Sequence, residues 1–239
     1  MKKYFFSILL LTASFSKIFA QEAINDANAE KRIVSGYSGI DVATGIKLIL
    51  TQGETEDVAV SAATTEFRDK IVTNVVNGVL KIYYEPKLGA INKKGESKNL
   101  RVYVSIKTIN KLNASTGAQV EIKGTLKASN LKMNVNTGAV VKGMIDVDDL
   151  EVSQTTGSEI HFSGSADKLN VNGDTGSMFQ GYELKTENCD VRVSTGAGIY
   201  ISVNKELNVR GNTGGFVKYK GNAGIRDLRT NTGAKVSRG

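Results

Sequence analysis

The chain has 239 residues, of which 40% are hydrophobic, with one proline, one cysteine and one histidine; this allows one or two globular domains and excludes an internal disulfide framework. Its 31 basic and 24 acidic residues give a formal net charge of +7, which becomes 28 − 24 = +4 if residues 1–20, with three lysines and no acid, are removed. So small a charge does not favour a nucleic-acid partner, and a single histidine excludes a histidine-rich metal site.

The first twenty residues have the pattern of a secretory signal. A lysine pair precedes an apolar run from Tyr4 to Phe15, and Ala20 ends a plausible cleavage site. The run is too short to be a clear membrane span. We therefore predict that residues 1–20 are a signal peptide removed on export to the periplasm or the outer cell surface, with a retained anchor as the alternative. No integral membrane span is expected after its removal.

A β-rich segment precedes the regular part of the chain. Residues 21–32 are polar and weakly patterned, which predicts a short tether. Residues 33–110 then contain short alternating strands, a short helical turn at Thr65 to Asp69 and an Asn77-Gly78 dipeptide that is typical of a hairpin turn. We predict that residues 33–110 form an antiparallel or mixed β-segment that caps the repeats.

Residues 111–239 contain seven copies of one turn, each a threonine followed by a glycine, at spacings of 18 to 21 residues. The seven glycines are Gly117, Gly138, Gly157, Gly176, Gly196, Gly214 and Gly233. A fixed period near 20 residues indicates a solenoid. Glycine allows a positive φ in a tight corner, and the residue after it is small in every copy.

Apolar residues recur at fixed distances from each glycine. Three residues after it stand Val120, Val141, Ile160, Phe179, Ile199, Val217 and Val236. Five before it stand Leu112, Met133, Val152, Val171, Val191, Val209 and Leu228, and seven before it, in the five middle copies, Leu131, Leu150, Leu169, Cys189 and Leu207. The shared parity is typical of strands with one buried face. We predict an all-β, parallel β-helix-like solenoid of about seven rungs, each with two short strands and two corners.

The far edge of this stack has little cover, because the last copy ends six residues after Gly233. An uncovered strand edge can pair with another strand. A homo-oligomer formed through the uncapped C-terminal edge is therefore one expected assembly.

The sequence shows no catalytic constellation. His161 lies on the outward parity, whereas Cys189 lies in an inward column, so a nucleophilic pair is not expected. Cys189 is interpreted as a small buried hydrophobe, with a thiol that pairs between molecules as the alternative. The cluster Asp146, Asp148 and Asp149 lacks the spacing of calcium-binding β-rolls and is interpreted as a solvated corner. We predict neither a cofactor nor a metal.

Three arginines form the best candidate binding site. Arg192, Arg210 and Arg229 stand four residues before the glycine in consecutive copies, with Asp190 and Asp227 on the same outward face. One interpretation is a solvated face with ion pairs that contribute little stability. The other is a site where repeated bidentate donors bind an anionic glycan or peptide. Binding is favoured over cleavage because no second column of acids has catalytic spacing.

Exposed apolar side chains are a second clue. Val140, Met178 and Phe216 stand two residues after their glycines on the outward parity, and Tyr200 lies beside the same strand. Such residues usually lie singly on a surface, but if they cluster they can mark a partner face.

The opening strands match a known pattern in residues 37–42, 45–53, 58–60 and 77–82, and the rungs repeat Leu-x-x-x-x-Gly-x-x-Val/Ile-x-x-x-Gly. These turns and strands resemble the GIN-type head domain family of adhesins from bacteria with outer membranes, over roughly residues 35–239. The resemblance implies an all-β, right-handed β-helix-like body that is exported to the periplasm or the surface.

Two functional hypotheses follow. The first is an exported, non-enzymatic β-solenoid that acts as an adhesion or interaction module of the cell envelope, with a glycan or an envelope protein as its partner. The second is a polysaccharide-active enzyme on the same scaffold, because some β-helix enzymes cleave acidic polysaccharides on one outer face.

Overall fold

A computed structural model describes residues 26–86 and 97–239, so the predicted signal peptide and the start of the predicted tether lie outside the described residues. The described chain contains one short helix, α1 (Thr65–Arg68), and sixteen strands of one sheet. The strands are β1 (Glu30–Arg32), β2 (Gly39–Val42), β3 (Lys47–Gln52), β4 (Asp57–Ser61), β5 (Ile71–Val76), β6 (Val79–Tyr84), β7 (Arg101–Ile106), β8 (Lys111–Ala114), β9 (Gln119–Val135), β10 (Val140–Gln154), β11 (Glu159–Gly173), β12 (Met178–Val193), β13 (Gly198–Gly211), β14 (Phe216–Lys220), β15 (Gly224–Thr230) and β16 (Lys235–Arg238). None of the described residues belongs to a helix long and apolar enough to cross a membrane.

Strands β9 to β13 stack in parallel, and residues one repeat apart lie in register. The predicted column from Val120 to Val236 is paired step by step, through Val141, Ile160 and Phe179 and then onward. Parallel pairing places equivalent residues about 4.8 Å apart along the stack. The prediction of an all-β parallel solenoid of about seven rungs is confirmed.

Each middle rung is one long strand rather than the two short strands that were predicted. The five strands β9 to β13 have 14 to 17 residues each. In β10 the buried positions run through Ile145 and Val147 and then shift parity to Leu150 and Val152, so the strand bends to keep both parts facing the core. Hydrogen bonding to neighbouring rungs continues through the bend. Only after β13 does a rung divide, into β14 and β15.

The Thr-Gly corners are tight turns with both central residues at positive φ. The seven threonines have φ between 44° and 53°, and their glycines between 66° and 76°. Within the first corner, the N–H of Ala118 donates to the carbonyl of Ser115 at 3.1 Å. This is the type I′ pattern, which accepts glycine readily and strains a β-branched residue. Corners also bond to each other: the N–H of Gly117 donates to the carbonyl of Thr137 at 3.0 Å.

The stack begins earlier than the predicted boundary at residue 111. Thr44 and Gly45 form one more corner of the same kind, with φ values of 59° and 68°. Strand β2 pairs in parallel with β8 and β3 with β9, so Leu48 lies in register with Val120. Residues 39–52 are therefore a rung of the solenoid and not only part of a cap.

Antiparallel strands cover the first end of the stack. Strand β5 pairs with β6 through the predicted Asn77-Gly78 hairpin, while β4 pairs with β7 and β1 with β4. Strand β1 is three residues long and charged, which suits an edge that should not recruit further strands. The predicted tether at residues 21–32 is wrong for residues 30–32, because these residues pair with Val58 to Val60.

The core is continuous from the first strands to Val217, and the last rung departs from the predicted columns. Cys189 is buried in its leucine column, where burial raises the pKa of the thiol. In contrast, Leu228 is 49% exposed and Val236 only partly buried. Leu228 was predicted to be buried; it is exposed because no described rung lies above it. Oligomer formation through this end stays a prediction.

Candidate ligand-binding site

The structure brings the three predicted arginines together. Arg192 is the Cα partner of Arg210, and Arg210 is the partner of Arg229. The three side chains therefore leave consecutive rungs from equivalent positions, about 4.8 Å apart. All three are exposed. The result is a short column of like charges on one outer face, which we call the arginine ladder.

One carboxylate neutralises part of this ladder. Asp227 accepts a hydrogen bond from Nε of Arg229 at 3.0 Å and lies 3.8 Å from Nη2 of Arg210. Arg192 donates to the amide oxygen of Asn172, at 3.5 Å. Exposed ion pairs of this kind contribute little to stability. Two positive charges in excess of the one acid remain on the ladder, with donors free to bind an anion.

The predicted acid Asp190 contacts an amide rather than an arginine. Its carboxylate accepts a hydrogen bond from Nδ2 of Asn208 at 2.9 Å, and no ion pair joins it to an arginine among the described residues. The structure therefore places both predicted acids on the arginine face, but only Asp227 pairs with the ladder.

A groove with a volume of about 570 Å³ runs along the stack beside the arginine ladder. One wall holds the outward residues four before each glycine, namely Asn134, Ser153, Asn172, Arg192, Arg210 and Arg229. The other wall holds those two before each glycine, namely Asn136, Thr155, Asp174, Ser194, Asn212 and Asn231. Six rungs contribute, so the groove is about 24 Å long.

The two halves of the groove differ in charge. The first three rungs offer amides, hydroxyls and the single acid Asp174, whereas the last three carry the arginines. Hydrogen bonds from the side chains of Thr195 and Ser194 and from the N–H of Thr175 lower the pKa of Asp174. Asp174 is therefore ionised, and its oxygens are already engaged. The groove has a neutral-to-acidic half and a cationic half.

Gln154 lies among the residues that line the groove and is almost fully buried, at 2% exposed. Neither its Oε1 nor its Nε2 has a hydrogen-bond partner among the described residues. The equivalent position is Val135 on the rung before and Gly173 on the rung after. The buried amide is thus an unsatisfied polar group in an otherwise apolar column.

Replacing this amide should stabilise the protein. We expect Gln154→Leu to raise the free energy of unfolding by about 1–3 kcal/mol, because an unpaired buried polar group carries a desolvation penalty of that size. Urea unfolding followed by circular dichroism measures the change. Ser153→Leu, on the outward side of the same strand, is the matched control and should give no gain. A loss of stability in Gln154→Leu would show that the amide has a partner in solution.

The exposed apolar residues cluster in part. Tyr182, Tyr200 and Phe216, which we call the aromatic patch, form edge-to-face pairs with ring centroids 5.2 Å and 5.7 Å apart. Met178 packs beside Phe216 at Gly198, where a Cβ would lie 2.8 Å from the Met178 sulfur. Sequence reasoning missed Tyr182, because it lies in a register shift between Gly181 and Lys185 and so outside the regular columns.

The remaining candidates are not brought together. His161 is exposed beside Glu159, at 3.2 Å, whereas the Cys189 thiol is in the core. Asp146 accepts from the hydroxyl of Ser165 at 2.7 Å, as suits a solvated corner. Within the described ranges, no group of three or more His, Cys, Asp or Glu residues is placed to hold a metal ion.

Comparisons with known proteins agree with this architecture. A model of the family described as "Putative auto-transporter adhesin, head GIN domain" matches residues 36–223. A putative adhesin from Bacteroides fragilis has a similar structure, with a TM-score of 0.75 and 17% identity, over 88% of this chain and 95% of that one. A putative adhesin from Parabacteroides merdae gives a TM-score of 0.65 and 16% identity, over 87% and 95%. At such identities the likeness shows the fold alone.

A third similar structure is that of a putative lipid binding protein from Parabacteroides distasonis, with a TM-score of 0.61 and 19% identity over 88% of this chain and 97% of that one. A comparison with curated proteins found no match.

Proposed function

Since this chain belongs to the family of the auto-transporter adhesin head GIN domain, we propose that it is an exported, non-enzymatic adhesion module of the cell envelope. Its ligand is an acidic glycan that lies lengthwise in the groove beside the arginine ladder. Family membership supports the adhesive role and the location outside the cytoplasm. The arrangement of the groove supports the ligand class.

The observation that carries the ligand class is the register of the three arginines. Guanidinium groups repeat along the stack with the spacing of the rungs, and one aspartate serves two of them. Guanidinium binds carboxylates through two parallel hydrogen bonds. A polymer that bears carboxylates at intervals along its length can therefore place acids beside consecutive rungs.

The rest of the groove favours a sugar polymer over an acidic peptide. The amide and hydroxyl side chains of its first three rungs can donate to and accept from sugar hydroxyls. A glycan also fits a groove that is open along its length.

The state of the acid in the groove argues against glycoside hydrolysis. Glycoside hydrolysis needs two carboxyl groups across the scissile bond, one of them protonated. Asp174 is the one carboxylate among the described residues that line the groove, and its pKa is lowered rather than raised. It cannot serve as a general acid near neutral pH.

The test is a triple variant, Arg192→Gln with Arg210→Gln and Arg229→Gln. Binding of galacturonic acid hexamer, measured by isothermal titration calorimetry at low salt, should weaken at least 100-fold, since charge-assisted hydrogen bonds contribute about 1.5–3 kcal/mol each. Lys31→Gln with Lys127→Gln and Lys168→Gln makes the same change in net charge away from the groove and should bind normally.

Three results would contradict the proposal. The wild-type protein could fail to bind the hexamer, or both triple variants could lose affinity equally, which would indicate a general charge effect. Shortened or unsaturated hexamer products would instead favour the polysaccharide-active enzyme.

A further inference from the structure

Half-buried aromatic side chains are gathered on one face of the upper rungs, which are those formed by β12 and the strands that follow it. The aromatic patch lies on strands β12, β13 and β14, on the far side of the Thr-Gly corners from the arginine ladder. Tyr182 is placed there by the irregular pairing after Gly181, and such bulges commonly re-aim a side chain. Gly198 leaves a notch that the Phe216 ring fills, since a Cβ there would lie 2.4 Å from the ring.

Two lysines complete this surface. Nζ of Lys220 lies 4.3 Å from the centroid of the Tyr182 ring, and Nζ of Lys218 lies 5.8 Å from that of Tyr200. The rings hold the ammonium groups by cation–π attraction. No ion pair joins either lysine to an acid within the described part of the chain, unlike Arg210 and Arg229. Both ammonium groups therefore have donors available for an anion.

A second groove, with a volume of about 640 Å³, adjoins the patch at Tyr182. Met144 and Phe162 provide apolar lining, while His161, Gln180 and Glu183 provide polar groups. Binding sites for small organic ligands commonly combine apolar and aromatic walls with a few orienting polar groups at volumes of about 300–1,000 Å³. The size and the lining suit one or two sugar rings.

We propose that the aromatic patch, Lys218 and Lys220, and the adjoining groove form a second saccharide site, which binds a short saccharide of pyranose rings that carry carboxylates. One ring lies against Tyr182 and Met144, its hydroxyls bond His161 and Gln180, and the carboxylate of the adjoining ring binds the lysine ammonium groups. The expectation of an acidic sugar rests in part on the proposed function of the arginine groove. The site itself rests on different residues.

The arginine ladder and the aromatic patch both lie on strands β12 to β15, whereas the two grooves extend along earlier rungs. Arg210 and Phe216 flank the single corner formed by Thr213 and Gly214, so the protein presents one saccharide site on each side of that corner. A module with two sites can join two glycan chains, or bind one surface with avidity.

The test uses galacturonic acid trimer, which is too short to reach from one face to the other. Calorimetry should find two trimers per wild-type chain and one per chain of Lys218→Gln with Lys220→Gln. The second measurement is tyrosine fluorescence, to which Tyr182 and Tyr200 of the patch contribute and which no tryptophan obscures. Trimer should change this emission in the wild type, and the lysine variant should need at least 30-fold more trimer.

Beads coated with the trimer test bivalency. Wild-type protein should agglutinate them, whereas the lysine variant and the arginine triple variant should each bind without agglutination. Lys127→Gln with Lys168→Gln is the control and should behave as the wild type. Agglutination by both single-site variants would point to an oligomer instead and would overturn the inference.

The outcomes separate the two proposals. If the wild type binds one trimer and only the arginine variant loses it, the second site is wrong and the proposed function stands. If only the lysine variant loses binding, the second site stands and the arginine groove is wrong. If wild-type protein binds no trimer, the acidic-sugar assignment of both sites is overturned.

Discussion

Gly164→Ala is expected to prevent the stable stacking of the rungs, whereas Gly157→Ala, on the same rung, should lower the free energy of unfolding by about 1–2 kcal/mol. Gly164 has φ of +106°, and a Cβ there would lie 2.0 Å from the carbonyl oxygen of Ile145 on the neighbouring rung. That oxygen belongs to the backbone, so the clash can be relieved only by separating paired strands.

Gly157 also requires a positive φ, but an added Cβ there would contact no other atom. Its φ is +66°, and nothing lies within 4 Å of the place that an alanine Cβ would take, so only the backbone preference opposes alanine. Urea unfolding monitored by circular dichroism should give a shifted but normal transition for Gly157→Ala. For Gly164→Ala it should give no cooperative transition, or a loss above about 4 kcal/mol.

A second glycine, Gly221, lies equally close to the backbone of a neighbouring rung. Gly221 has φ of +95°, and a Cβ there would lie 2.1 Å from the carbonyl oxygen of Val203. Gly221→Ala should disturb only the end of the stack, where β16 is the one described strand beyond β14, and therefore cost less than Gly164→Ala. Equal effects of Gly157→Ala and Gly164→Ala would show that neighbouring rungs separate easily and would contradict the account.

The rungs were predictable because their signals are local. Each Thr-Gly corner and the apolar residues three after and five before it recur with little change in spacing, so the register follows from alignment on the glycine. Residues at odd distances from the glycine are then predicted to be buried, and those at even distances to face outward. This reasoning also predicted that the arginine ladder would be a column, because equivalent positions in parallel rungs must lie over one another.

The rung at residues 39–52 was missed because 72 residues separate Gly45 from Gly117, and Ile46 replaces the usual small residue. Its Ile40 and Leu48 do fit the apolar columns, five before and three after the glycine. A search that allowed a long insertion between copies could have found it. The inserted strands pair partly antiparallel, which no period can reveal.

Other features depend on packing that a repeat pattern does not contain. The repeat spacing makes Leu228 the equivalent of Val209, and the two residues are indeed paired. Leu228 is nevertheless exposed, because burial also requires another rung to cover the side chain. The sharing of Asp227 by Arg210 and Arg229 depends on side-chain conformation. Tyr182 joins the aromatic patch through an irregularity in pairing.

The recurring form of the corners has its own physical implication. Eight threonines, counting Thr44, hold positive φ in the described chain, although glycine or asparagine would be less strained there. Each strained turn is held by hydrogen bonds to the corners of adjacent rungs, so a corner depends on its neighbours. Stability in such a stack is carried largely by contacts between adjacent rungs.

That dependence makes the centre of the core the most sensitive place for a cavity. Phe179→Ala should lower the free energy of unfolding by about 3–5 kcal/mol, as is usual for a large-to-small change at a buried aromatic. Phe179 is fully buried between Ile160 and Ile199 of the adjoining rungs, and its ring packs edge-to-face on Phe162 with centroids 6.4 Å apart.

The same column offers a matched control at its exposed end. Val236→Ala removes a partly buried side chain of the last rung and should cost less than about 1.5 kcal/mol, because fewer contacts are lost. Urea unfolding by circular dichroism compares the two. Because Phe179 lies where the lower and upper rungs meet, its loss should also separate their unfolding, so that the upper rungs unfold at lower urea. If Phe179→Ala and Val236→Ala destabilise the protein equally, the rungs do not share one continuous core.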